Sequence, residues 1–159
     1  MRITLELKRA DKIVSLVMTV LIILTVIFIF SNSFENSSAS DKASEKVTET
    51  VKPIVESVIG QGKVTNNAVR KTAHVLEFGL LGFELAILLT ALGRVSLSSV
   101  MHCSFFAVTV ALLDETIQIF NDRGALVKDV WIDFGGALSG ITIALLIFRL
   151  ASLFKKRRR

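Results

Sequence analysis

With 159 residues, 52% of them hydrophobic, one proline and a mean hydropathy of +0.61, the chain is too apolar for a water-soluble monomer and reads as a small polytopic membrane protein. A single cysteine, Cys103, excludes an intrachain disulfide and a cysteine-based zinc site. The net charge of +5 would suggest nucleic acid in a soluble chain, but here the basic residues flank apolar runs, so the expected partner is the lipid bilayer and not nucleic acid.

The stretch Ile13 to Phe34 carries no charge until its end and exceeds the length of a signal-peptide core, so it predicts a first membrane helix. A cleaved signal, ending near the small residues Ser37, Ser38 and Ala39, is the alternative. The polar connection 35–70 follows. Within it Val47, Val51, Ile54 and Val58 recur at helical spacing among Lys46, Glu49, Lys52 and Glu56, which predicts an amphipathic segment divided by Pro53 and ended by Gly60 and Gly62. Three further spans are predicted over 72–92, 95–120 and 130–148, the first two joined by Gly93 and Arg94 alone and therefore forming an antiparallel hairpin. The fold class expected is an all-α membrane protein, one domain over 1–159 with four transmembrane helices. An even number of spans puts both termini on one side. Arg2, Lys8, Arg9, Lys12, Arg94, Arg149 and the run Lys155 to Arg159 place eleven basic residues there against eight opposite, so that side is predicted to be cytoplasmic and the amphipathic segment extracytoplasmic.

Ionisable residues within spans cost on the order of 3 kcal/mol each at a helix centre and so face a bundle interior or a wet cavity. His74, Glu77 and Glu84 share one face of the second span, at about 100° per residue. Asp114, Glu115 and Gln118 fall at i, i+3 and i+4 spacing on the third, and Asp129 and Asp133 repeat that spacing at the start of the fourth. All but Glu84 reach one layer near the outer end of the bundle, with Arg70, Lys71 and Arg123 at its rim. Glu84 lies deeper and is expected to be neutral and hydrogen-bonded, with His102 beside Cys103 as its partner. Trp131 is expected at the headgroup belt, and Gly135, Gly136 and Gly140 at a close helix contact.

Arg70-Lys71-Thr72-Ala73-His74 with Glu77, then Asp114-Glu115 with Gln118, then Arg123 and Asp129 with Asp133 and Gly135, resemble the VanZ-like family, and the likeness runs from Phe28 to about Ile141. The resemblance implies a small bacterial membrane protein of the cell envelope, in a family named for a member that lowers susceptibility to the glycopeptide teicoplanin. Phe78 stands where relatives often carry a tyrosine, which excludes a phenolic hydroxyl there.

Two functions of different class fit these residues. In the first, the polar layer binds, shields or modifies an anionic lipid headgroup or a lipid-linked cell-wall precursor. Arg70, Lys71 and Arg123 then clamp phosphate oxygens, while His74, Glu77, Asp114, Glu115, Gln118 and Asp133 supply acid, base or polar groups. Asp129 and Glu84 are further polar members. Imidazole with carboxylates is also a workable set for a divalent metal. No nucleophile stands at a recognisable elbow, and the phospholipid-headgroup transferase motif is incomplete, so whether chemistry follows binding is left open. In the second, the buried polar layer only specifies helix pairing and the protein is structural or recruits a partner. Proton or ion conduction through Glu84 is the least favoured, because four helices leave little room for a pathway.

Overall fold

Lipid leaves no solvent for unpaired backbone groups, so long runs free of proline fold as continuous helices. The computed structural model contains four of them: α1 (Arg2–Phe34), α2 (Asn66–Ala91), α3 (Leu97–Phe120) and α4 (Val127–Arg157). The structure describes residues 2–34, 45–50, 52, 53, 55, 56, 64–121 and 126–157, and no strand occurs among them. All four helices are long and apolar enough to cross a membrane, so the chain is an all-α, multi-pass membrane protein. Residues 45–50, 52, 53, 55 and 56 are helical as well, with Val47 exposed and Thr48 buried. Val51, Ile54, Val58, Gly60 and Gly62 of the predicted amphipathic segment, and Ser37 to Ala39, lie outside the described residues.

α1, α2 and α4 start before the predicted spans and α4 also ends later, because hydropathy marks only the part that crosses hydrocarbon, whereas α2 ends at Ala91 and α3 begins at Leu97, so the hairpin connection is 92–96 and not Gly93 and Arg94 alone. α2 begins at Asn66 instead of Thr72, capped by Thr65, whose hydroxyl accepts the Ala68 N–H at 3.1 Å. Arg70 and Lys71 therefore project from a helix. Gly93, at φ 63°, ends the hairpin turn: its N–H bonds to the Thr90 carbonyl at 3.0 Å and that of Arg94 to Leu89 at 2.9 Å. Ser96 then caps α3 by accepting the Ser99 N–H.

α2 is central and touches the other three helices, most extensively α4. Glycine makes that pairing close. A Cβ on Gly140 would lie 1.9 Å from the Gly79 carbonyl oxygen, and one on Gly82 would lie 2.0 Å from that of Ala137. Gly136 faces Val75 in the same way, whereas Gly135 meets nothing within 4 Å and is not part of the contact. The contact needs Gly79 and Gly82 of α2 as its other half. α1 attaches through a stripe at helical spacing, Ile22, Thr25, Ile29 and Ser33, all buried, while Ile23, Leu24, Ile27 and Phe28 face outward, as lipid-facing residues do. The core joins Ile22 and Ile29 to Phe78, Leu81, Leu85, Val110 and Ala137.

Glu84 is buried in that core, but its partner is not His102. The Thr25 hydroxyl donates to Glu84 Oε1 at 3.1 Å, whereas His102 is exposed, its Nδ1 2.6 Å from the Ser98 carbonyl oxygen one turn back. Thr25→Val removes the donor and keeps the shape. It should lower the stability of the detergent-solubilised protein by about 1 kcal/mol, read as a shifted midpoint of SDS-induced unfolding.

Candidate functional site

The polar residues gather where the C-terminal ends of α1 and α3 meet the N-terminal ends of α2 and α4. Each helix reaches that level for a local reason. α2 starts early at its Thr65 cap, which sets Arg70, Lys71 and His74 within its first turns. α3 runs to Phe120, so that Asp114, Glu115 and Gln118 occupy its last two turns. α4 starts at Val127 with Asp129 in its first turn, where a carboxylate is favoured by the helix dipole, and Asp133 follows one turn later.

Arg70, Lys71, His74, Glu115, Gln118, Asp129, Ile132 and Asp133 line a cavity of about 20 Å³. This is room for one water molecule or one ion, far less than a phosphate ester needs. Lys71 Nζ pairs with Asp129 Oδ1 across its mouth, joining α2 to α4. Asp114 does not line the cavity but lies behind its lining residues His74 and Gln118; it is fully buried and accepts from the Ser33 hydroxyl at Oδ1 and from Gln118 Nε2 at Oδ2 at 2.9 Å. His74 Nδ1 lies 3.6 Å from Asp114 Oδ2 and 3.8 Å from Asp133 Oδ1. Asp133 is 1% exposed, and its Oδ2 has no hydrogen-bond partner among the described residues. Glu115 Oε2 accepts the Leu126 N–H at 3.2 Å and so ties the end of α3 to the start of α4.

Not every predicted member joins this cavity. Glu77 shares the face of His74 but turns to α1, accepting from Asn32 Nδ2 at 2.9 Å. Glu84 sits ten residues beyond His74, roughly 15 Å along the helix, and belongs to the core. Arg123 lies outside the described residues. Trp131 is exposed at this end of the bundle, edge-on to Phe134 with ring centroids 6.2 Å apart. Sequence reasoning found α1 as a span but missed its share in the site: Asn32 and Ser33 bind Glu77 and Asp114, and Asn121, at the C-terminal end of α3, donates to the Ser33 carbonyl at 3.5 Å. The signal was present in the spacing of Thr25, Asn32 and Ser33 along an otherwise aliphatic helix.

The arrangement can supply hydrogen-bond acceptors, one imidazole and two cationic side chains to something entering from the bundle end. Charge is unbalanced there, with Asp114, Glu115, Asp129 and Asp133 set against Arg70 and Lys71. No curated protein and no solved structure matches the chain. The VanZ/LLP1 family model matches residues 16–149, which takes in α2 and α3 whole, most of α1 and α4 and every residue of the polar end, and the chain belongs to that family.

Proposed function

We propose that the protein works at the outer face of the bacterial cytoplasmic membrane, with both termini cytoplasmic, and that its polar end engages an anionic lipid headgroup or a lipid-linked cell-wall precursor, lowering susceptibility to teicoplanin. The observation that carries the reading is the pair Arg70 and Lys71, held on a helix and lining a polar cavity at bundle-end depth. Because the cavity admits one small ion or water, a phosphate group engages the mouth and not the interior. There it competes with Asp129 for Lys71, and the guanidinium of Arg70 offers a bidentate fork to its oxygens. Arg123, on the connection leading to α4, is the third cation of the clamp. The orientation is supported by the excess of basic residues at the opposite end, where α4 carries Lys155 and Arg157.

Expression of the wild type and of an Arg70→Ala, Arg123→Ala variant in a susceptible Gram-positive host, with teicoplanin measured beside vancomycin, tests this. Protection by the wild type and its loss in an equally abundant variant are expected. Phosphorus per chain after detergent purification should fall in the same variant, and equal phosphorus in both would refute the clamp.

A second reading is favoured by one observation: both oxygens of Asp114 already accept from Ser33 and Gln118, a network that fastens α1 to α3. On that reading the polar layer is structural. Glu77→Gln retains an acceptor for Asn32 and leaves the phenotype unchanged if Glu77 is structural, but removes it if the carboxylate acts as acid or base.

A further inference from the structure

His74 Nδ1 stands off from Asp114 and Asp133 at distances unlike those of hydrogen-bonding partners. His74 Nδ1 is 3.6 Å from Asp114 Oδ2 and 3.8 Å from Asp133 Oδ1, beyond hydrogen-bond length, and ligand atoms of all three residues lie within 4.8 Å of one another. Atoms bound to one ion at about 2.1 Å stand roughly 3.4 Å apart along a tetrahedral edge, so the two separations from His74 are close to those of ligands that share a cation, and the carboxylates need only a small side-chain adjustment to close on it. Two further observations point the same way. The Asp133 side chain is almost wholly buried, yet its Oδ2 is unpartnered among the described residues, and the adjoining cavity of about 20 Å³ has the volume of a single ion or water.

We propose that His74 Nδ1 and one carboxylate oxygen each of Asp114 and Asp133 bind a divalent transition-metal cation, Mn²⁺ or Zn²⁺ in class, with the cavity as its open coordination position. One imidazole nitrogen with two carboxylate oxygens is a donor set of intermediate hardness, better suited to these ions than to Ca²⁺, which takes oxygen only. Two aspartates supply the two negative charges that offset the ion in a medium of low dielectric. The surrounding groups serve as orienting partners. Ser33 and Gln118 donate to Asp114 and fix its plane, and because a carboxylate oxygen has two acceptor sites, Oδ2 keeps the Gln118 bond while it faces the ion. The ligands come from α2, α3 and α4, so the ion would bridge three helices at one depth, with Arg70 and Lys71 lining the same cavity and not among the ligands.

This site deepens the binding reading without depending on its ligand. The full chain, purified in detergent and freed of metal with a chelator, is titrated with Mn²⁺ and followed by electron paramagnetic resonance, with Zn²⁺ as competitor. The expected result is saturable binding of about one ion per chain, with nitrogen hyperfine coupling from the imidazole. Asp133→Asn and His74→Gln should weaken binding by roughly 10–100-fold or more, with the nitrogen coupling absent in the second. Absence of saturable binding by the wild type, binding without nitrogen coupling, or full affinity in a folded Asp133→Asn variant would each overturn the proposal. The wild-type spectrum alone decides it if the variants fail to fold. Arg70→Ala leaves all three ligands in place and, with one cation removed from the cavity lining, should bind Mn²⁺ at least as tightly as the wild type while losing lipid phosphorus, so the ion and the headgroup can fail separately.

Discussion

Gly140→Ala should destabilise the bundle by about 3 kcal/mol, lowering the midpoint of thermal unfolding in detergent by roughly 6–12 °C. The added methyl would sit 1.9 Å from the Gly79 carbonyl oxygen and 2.9 Å from the Phe83 nitrogen, both backbone atoms that no rotamer change can move aside. α2 and α4 must separate to admit it, and the His74–Asp133 spacing opens with them. Gly135→Ala is the control. It meets nothing within 4 Å, and the better helix propensity of alanine should leave the midpoint unchanged or raise it slightly. Equal midpoints for the two variants would mean that the glycine contact does not hold the pair.

The second large effect is at Asp114. Asp114→Ala leaves the Ser33 hydroxyl and the Gln118 amide without their acceptor inside the bundle, a loss of about 3–6 kcal/mol when each charge-assisted bond counts roughly 1.5–3. Asp114→Asn keeps one acceptor for Gln118 and can donate to Ser33, so its cost is about 1–2 kcal/mol. Chemical unfolding of the two proteins separates them in stability, while both lose the carboxylate offered to His74. A variant that is stable and yet fails in the host assay would assign Asp114 more than a packing role; equal stability in the two variants would show that the Ser33–Asp114–Gln118 network carries little.

The four spans were legible because apolar length is a direct physical requirement of lipid, and the inward faces because charged residues recurred at helical spacing on each of three helices. The hairpin turn at Gly93 was legible for the same kind of reason, since a short connection leaves no other geometry, although it runs over 92–96 because the caps Leu92 and Ser96 lie outside the helices. What stayed hidden is instructive. Glu84 and His102 are each nine residues from Gly93, so the sequence matched their depth correctly, but depth says nothing of direction, and His102 points away from the bundle. His74 and Glu77 share a face that is wide enough to touch two neighbours, which is why one meets Asp114 and Asp133 and the other Asn32. The part played by α1 was masked by its own hydropathy: Thr25, Asn32 and Ser33 carry no charge and are easily lost among isoleucines and leucines. Gly135 was grouped with Gly136 and Gly140 by sequence proximity, although adjacent helical positions differ by about 100° and only the i, i+4 pair faces α2.

The glycine contact between α2 and α4 also bears on how the chain is made. Its two halves are separated by the whole of α3, so the closest interface in the bundle cannot form until α4 has been synthesised and has entered the bilayer. Until then α2 must be held in the membrane with His74, Glu77 and Glu84 lacking their final surroundings, and α1 and α3, which bear Asn32, Thr25 and Asp114, are the helices at hand to shelter them. The arrival of α4 adds Asp129 to Lys71 and Asp133 to His74, so that share of the polar end is completed by the same helix that closes the glycine contact, whereas the Asn32–Glu77 and Ser33–Asp114 bonds need only α1, α2 and α3.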